Sequence, residues 1–333
     1  MATKRNNIFI SIIVGLLAVV LLVVFVMYSG YTSESDLGDK SVTIIIKQGD
    51  SFNSVLSKLL DDKVIDSKFM MKLMAKLSGA DKKLVPGRYD FSGKNSAKSV
   101  LEKLENGDFF RVKVTIPEGN TIWETASLLA RKLELDSAQI HQMNFDTLLL
   151  KKYNLPYLEG YLYPETYYFP WGSSEREVVE TLIEMFITET SGIWLEQVPN
   201  NLSREEVVIM ASIIEGETGL VDERRLVSSV YHNRLTKRMK LDADPTVIYG
   251  LGGLDRPLWK KDLKKDSPYN TYLRRGLPPT PINSPGAASI KAAMNPEKSE
   301  YFYFVADTDG SHYFSRTNAE HNRAIQRIRS KQN

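Results

Sequence analysis

From Ile8 to Met27 the chain carries no charged side chain, and this run limits the possible folds more than any other segment. At about 1.5 Å per helical residue it reaches roughly 30 Å, the thickness of a bilayer's hydrocarbon layer. Lys4 and Arg5 precede it, and the first charges after it are Glu34, Asp36 and Asp39. The positive-inside rule therefore places the N-terminus in the cytoplasm. The expectation is a cytoplasmic segment over 1–7, a single-pass transmembrane helix over 8–28, a polar linker over 29–40, and everything beyond on the extracytoplasmic, periplasmic side. A cleaved signal peptide is the competing reading. It needs an apolar region of about 7–15 residues ending in a small-x-small site, which Met27, Tyr28, Ser29, Gly30 and Tyr31 match poorly.

Composition excludes several classes of function. There is no cysteine, so neither disulfides nor thiolate metal sites are available. Lys and Arg total 43 against 41 Asp and Glu, and they are spread along the chain. That balance leaves no electrostatic footprint for nucleic acid. His141, His232, His312 and His321 show no H-E-x-x-H spacing, and no G-x-S-x-G or phosphate loop occurs; no metal and no cofactor are expected. His321, in "AEHNRAI", belongs to a terminal helix. With 333 residues in all, the part beyond the apolar run is long enough for two domains.

The chain repeats itself. "IIIKQGDSFNSVLSKLL" aligns without a gap on "VTIPEGNTIWETASLLA", matching Ile46 with Ile116, Gly49 with Gly119 and Ser51 with Thr121. Asp66 and Ser67 then fall on Asp136 and Ser137. Each copy reads as a strand, a glycine turn and a helix with apolar residues at helical spacing. The unit resembles the LysM module, a small βα fold that grips N-acetylglucosamine-containing glycans. A LysM-like subdomain is expected over 41–110, with a second unit near 112–137. Between the copies, Pro86 and Gly87 turn the chain, a short strand surrounds Tyr89, and a helix runs from Asn95 or Ser96 to near Gly107. Further on, "YLEGYLYPETYYFPW" contains seven aromatic residues. Such rings either stack on pyranose faces along a sugar cleft or pack as a loop whose phenols reach water.

Ser203 and Glu206 form an S-x-x-E capping box that opens a helix. Val207 to Ile214 is apolar nearly all round, so the helix is buried. Glu215 follows about three turns in, with the small Ala211 and Ser212 on its own stripe. Gly216, Thr218 and Gly219 are poor helix formers, so the helix is expected to end or distort just after Glu215. The glycine would also let a sugar approach the backbone. A carboxyl beside apolar groups at the negative end of a helix has a raised pKa, which suits a general acid. Glu217 points about 200° away on a persisting helix and has at most a supporting role. The alternative is a buried structural Glu215 paired with Arg224, Arg225 or Arg234.

"ASIIEGETG", "ERRLVSSVYHNRLTKRMKLDADPTVIYGLG", "SPYNTYLRRGLPPTPINSPGAASIKAAMNP" and "YFYFVADTDGSHYFSRTNAEHNRAI" together resemble the YceG-like, or MltG, family of endolytic murein transglycosylases. The resemblance runs from the apolar segment to Ile325 and includes "VTIPEGNTIWETASLLA" and "LEGYLYPETYYF". It implies cleavage of the β-1,4 bond between N-acetylmuramic acid and N-acetylglucosamine inside peptidoglycan strands, without water, leaving a 1,6-anhydromuramoyl end. The catalytic glutamate of the family falls on Glu215. Two-carboxyl glycosidases need an acid and a base or nucleophile; here the sugar's own C6 hydroxyl attacks, and one Glu serves as acid and then base.

Read as walls of that site, Asn233 and Arg234 would orient Glu215 or Glu217. Asp244, Thr246, Tyr249, Tyr269, Asn270 and Tyr272 would recognise N-acetyl and hydroxyl groups. Ser212, Thr218 and Glu159 complete the candidate set. The competing readings are helix capping and local turn chemistry, with Asp-Pro-Thr an ordinary helix start and Asn270 bonded to nearby backbone. The proline-rich "GLPPTPINSPG" would border the cleft. The expected fold is α+β: a single N-terminal transmembrane helix, a LysM-like βα subdomain, and a mixed, mainly helical catalytic region over 111–333 with its core at about 155–330. The expected setting is the inner membrane, with peptidoglycan strands as substrate and peptidoglycan synthases and divisome or elongasome proteins as partners. The alternatives are a non-catalytic glycan-binding scaffold of the wall machinery and a muramidase-type hydrolase.

Overall fold

The uncharged run forms most of α1 (Ala2–Thr32), as its composition dictates. In this computed structural model, residues 2–47, 49–194 and 197–332 are described. Met1 and the side chains before Ile12, where the expected basic cytoplasmic cluster falls, lie outside the described residues. From Ile12 to Thr32 the helix is strongly apolar, and none of it is buried. It is long and apolar enough to cross a membrane. The expected linker over 29–40 is mostly regular structure: α1 runs to Thr32 and β1 (Glu34–Ile46) begins two residues later.

The chain divides into two compact units, Met1–Val112 with Phe169–Gly172, and Lys113–Tyr168 with Ser173–Asn333. In the first, β1 is followed by α2 (Phe52–Asp61), α3 (Lys68–Ser78), β2 (Gly87–Ser96) and α4 (Ala97–Glu105). β1 and β2 pair antiparallel, with a register shift between Asp36 and Ser41. Their inward residues Ile44, Ile46, Tyr89 and Phe91 meet Val55, Leu56 and Leu59 of α2, Met71 of α3 and Leu104 of α4 in one core.

The sequence repeat is visible in the local geometry. Gly49 and Gly119 both have positive φ, 90° and 78°, a region open to glycine at no steric cost. Ser51 then caps α2 and Thr121 caps α5 (Ile122–Leu133), each side chain accepting from the backbone N–H three residues on. After the repeated helix the copies differ. Ser67 caps α3, whereas Asp136, one place earlier in the alignment, caps α6 (Ser137–Gln142). The second copy starts on β3 (Arg111–Thr115), which pairs with β4 (Thr166–Pro170) beyond α7 (Thr147–Tyr153).

The second unit is mainly helical. Its centre is α9 (Arg204–Glu217), opened by the expected capping box of Ser203 and Glu206. Val207 to Ile214 is buried along its whole length. Around it lie α8 (Glu175–Thr190), α10 (Arg224–Thr236), the short α11 (Asp244–Gly250) and α12 (Ala287–Met294). Their apolar residues Phe186, Val227, Tyr231, Ile290 and Ala293 share its core. A hairpin of β5 (Tyr303–Ala306) and β6 (His312–Ser315), then α13 (Asn318–Gln332), closes the unit. His321 sits in α13 with its ring stacked on Tyr303. Of the aromatic-rich stretch, Tyr161, Tyr163, Tyr167 and Phe169 are buried. Tyr161 and Tyr163 pack edge-on against Phe186, so packing is what most of these rings do.

Leu59 is fully buried in the first core. Replacing it with Ala should destabilise the first unit by about 2–5 kcal/mol through the cavity left behind. Urea denaturation of the detergent-solubilised chain, followed by circular dichroism, measures this.

Candidate active site

Glu215 is held by groups far away in sequence. Its Oε1 accepts from Arg224 Nη2 at 2.8 Å, and its Oε2 accepts the Gly286 backbone N–H at 3.0 Å. Of the three arginines considered, Arg224, at the first residue of α10, is the partner. The side chain of Glu215 is 5% exposed, as is that of Arg224. Burial raises the pKa of Glu215 above the ordinary carboxylate value, and neither the Gly286 N–H nor the Arg224 charge, both of which lower it, cancels that effect. The Ser289 hydroxyl lies beside the same carboxyl, buried and outside hydrogen-bond geometry.

The loop that carries Gly286 is stitched to α9 one turn before Glu215. Ser212 Oγ accepts the Ile282 N–H at 3.0 Å, and the Ser212 carbonyl accepts from Asn283 Nδ2 at 2.9 Å. Ser284 then exchanges backbone hydrogen bonds with Gly119 and Asn120. The proline-rich loop thus borders the carboxyl. Asn283 Oδ1, Ser284 Oγ and Arg224 Nε are buried here without hydrogen-bond partners. Buried polar atoms are seldom left unpaired, so among the described residues this patch holds unmet hydrogen-bonding capacity.

A second carboxylate reaches the same guanidinium. Glu118 Oε2 accepts from Arg224 Nη2 at 3.2 Å, from a side chain 49% exposed. A Cβ on Gly286 would stand 1.9 Å from Glu118 Oε1, so a larger residue there would push the Glu118 carboxyl aside. Glu118 is absent from the residues expected from sequence. A signal for it existed: the repeat aligns Glu118 with Gln48, an acid where the first copy has an amide.

The helix does not end after Glu215, contrary to expectation. α9 continues through Glu217 and stops at Thr218, which is extended. Gly216 is helical, and a Cβ on it would lie 2.9 Å from Pro245 Cβ. The glycine is required by the close approach of α11. Glu217 faces away from Arg224 and accepts from Tyr231 Oη at 2.5 Å; burial pushes its pKa up to about 7. The two acids of the motif are therefore separated, as helical geometry requires.

The residues just described fall within one stretch of similarity, because the sequence profile of the YceG-like family matches residues 44–327. The chain belongs to the YceG-like family. An endolytic murein transglycosylase of Bacillus subtilis strain 168 is 33% identical over 312 residues, spanning 88% of this chain and 86% of that protein. One from Streptococcus pneumoniae serotype 2 strain D39 is 26% identical over 329 residues. The match covers 88% of this chain and 60% of the pneumococcal protein. A 2.6 Å crystal structure of a yceG-like protein from Listeria monocytogenes aligns with a TM-score of 0.59 at 32% identity. It covers 86% of this chain and all of that one.

In this YceG-like chain the other expected residues bond elsewhere. Asn233 and Arg234 orient neither glutamate directly. Asn233 Nδ2 donates to the carbonyls of Ser299 and Tyr301. Arg234 donates to the carbonyls of Phe302 and Leu241 and pairs with Asp242. Both secure the approach to β5, and Arg234 acts on Glu217 only through its charge. Asn270 bonds the carbonyls of Leu263 and Lys265 nearby, whereas Thr246 bonds the Ala243 carbonyl and pairs with the Thr271 hydroxyl. Thr218 caps α9 and accepts the Leu220 N–H. Asp244 accepts from Tyr272 Oη at 2.6 Å.

Glu159, Tyr249 and Tyr269 come together elsewhere in the unit. Glu159 is 1% exposed and accepts the Ile122 N–H at the start of α5 and the Tyr249 hydroxyl at 2.9 Å. Burial raises its pKa to about 7. Tyr269 Oη pairs with Thr280 Oγ1.

Glu217 in the folded chain holds a proton up to about pH 7 that an unfolded glutamate releases near 4.5. The folded state therefore binds more protons across this window, and stability falls as pH rises through it. Glu217→Gln should flatten that decline, read from denaturation midpoints at intervals between pH 4.5 and 7.

Proposed function

We propose that this chain is a membrane-anchored endolytic peptidoglycan lytic transglycosylase with Glu215 as its acid and base. The observation that carries the reading is a buried glutamate with a raised pKa, held at both oxygens and bordered by unpartnered polar atoms. Its relatives from Bacillus subtilis and Streptococcus pneumoniae are endolytic murein transglycosylases. Protonated Glu215 gives its proton to the oxygen of the MurNAc–GlcNAc bond as the C1–O bond breaks. The C6 hydroxyl of the same muramoyl ring closes on C1, and the carboxylate then takes the hydroxyl proton. No water is consumed, and the product is a 1,6-anhydro end. Intramolecular attack supplies by proximity what a second carboxyl does in hydrolases. Arg224 and the Gly286 N–H keep the carboxyl oriented and stabilise the anion formed midway.

Glu118 shares the Arg224 guanidinium, and its negative charge adds to the upward shift of the Glu215 pKa. The strand, two helices and antiparallel strand of the first unit support a LysM-like, glycan-gripping shape for that unit. α1 is the single-pass anchor, with its N-terminus in the cytoplasm and the catalytic unit outside the inner membrane. The cleft would then act on nascent strands near their point of synthesis and end their growth, beside synthases and divisome or elongasome proteins.

Purified peptidoglycan digested by the parent chain should yield anhydro-ended fragments, and Glu215→Gln should lower the yield by at least about 100-fold. Equal yield from the variant would leave a non-catalytic scaffold as the better reading. Mass spectrometry of the fragments separates the hydrolase alternative, because hydrolysis adds a water. Glu118→Gln removes a charge that raises the pKa of Glu215. The alkaline limb of the pH–rate profile should move to lower pH, while the fragments stay anhydro-ended.

A further inference from the structure

A cavity of about 650 Å³ opens in the second unit and is lined by Trp123, His141, Phe145, Glu159, Tyr249 and Tyr269. We propose that it is a pyranose subsite, which seats an N-acetylhexosamine ring of the glycan strand away from the bond being cleaved. The inference rests on the glycan-strand reading above and adds to it a place and a chemistry of grip.

Three features carry it. First, its rim exposes aromatic rings that the fold does not need to expose. Trp123 is 39% and Phe145 71% exposed, and solvated apolar faces of this size commonly mark a binding surface. Second, the rings are pinned. The Trp123 indole Nε1 donates to His141 Nε2 at 2.6 Å. The indole also stacks with the His141 ring at 5.8 Å and meets Tyr249 at 5.1 Å. Tyr249 in turn packs edge-on against Tyr269 at 4.8 Å. A fixed aromatic platform loses little conformational entropy when the C–H face of a sugar is laid on it. Third, the cavity wall holds a buried acceptor. Glu159, bonded by the Ile122 N–H and Tyr249, presents carboxyl oxygens to a hydroxyl or acetamido N–H in a mainly apolar pocket that Asn144, Ser267 and Thr280 also line. A few placed polar groups among aromatic walls are the usual make-up of a small-ligand site.

The cavity is tied to Glu215 by two short connections. A Cβ on Gly119 would lie 3.8 Å from Glu215 Cγ, and Trp123 follows four residues later. On the other side Pro245 packs against Gly216 at one end of α11, and Tyr249 reaches the cavity at the other. Seven helical residues span about 10 Å. The cavity therefore stands one or two sugars along a strand threaded past the carboxyl, the arrangement needed to hold a strand by its interior.

The test uses the full-length chain in detergent with Glu215→Gln, so that no turnover confounds binding, and N-acetylchitotetraose as the probe in a calorimetric titration. Trp123→Ala in this background should weaken Kd by about tenfold, and Trp123→Phe, which keeps a ring, should retain most of the affinity. Thermal melts of each variant verify the fold. Unchanged binding by Trp123→Ala, equal loss in Trp123→Phe, or no binding by the parent would each overturn the subsite. Anhydro-ended fragments still released by Glu215→Gln would sink the catalytic assignment and leave the titration result standing.

Discussion

The structure of the second unit turns on one interaction, the burial of the Glu215 carboxyl between the Arg224 guanidinium and the Gly286 N–H. A charged carboxylate is costly to bury unless paired, so the fold must deliver partners to both oxygens. α9 supplies the carboxyl from a helix buried on every side, α10 supplies the arginine, and the start of α12 supplies the backbone donor. Ser212 keeps these parts in register by holding the 282–283 segment one turn before Glu215. Burial outweighs both partners, so the pKa of Glu215 still lies above the ordinary carboxylate value. A carboxyl shifted in that direction suits the protonation of a glycosidic oxygen, the role proposed for it.

Two glycines in this region have steric purposes. Gly216 admits Pro245 and Gly286 admits the Glu118 carboxyl, and in each case a Cβ would be too close to its neighbour. The first brings α11 against the end of α9, and the second brings an acidic turn of the repeated unit up to Arg224. The acidic pair of the "IIEGETG" motif is split between different surroundings. Glu215 has Arg224 and a backbone amide, whereas Glu217 has the Tyr231 hydroxyl. The carboxylate that shares the Arg224 guanidinium is Glu118, 106 residues before Arg224 in sequence.

Much was legible before any tertiary information. The apolar run, the repeated strand, turn and helix, and the capping box before α9 depend on residues within a few positions of one another. Local hydrogen bonds and side-chain period settle such features. Glu215 was also legible, because an acid ending an apolar helical stretch is a conflict that sequence displays. The expected helix end after Glu215 was wrong because propensity was outweighed by packing: Gly216 is tolerated inside the helix where α11 approaches. Asn233 and Arg234 look like site residues from their position after the motif, yet they bond the carbonyls leading into β5.

By itself, then, the sequence determined the apolar helix, the two copies of the βα unit, the buried course of α9 and the acid near its end. Tertiary structure alone decided that Arg224 among three arginines meets Glu215, that Glu118 joins them, and that aromatic residues from distant segments gather around Glu159. The reason is range. Periodicity and capping act over a turn of helix, whereas the bonds that make the site join residues 71 and 106 positions apart, and only the packing of the elements brings those together.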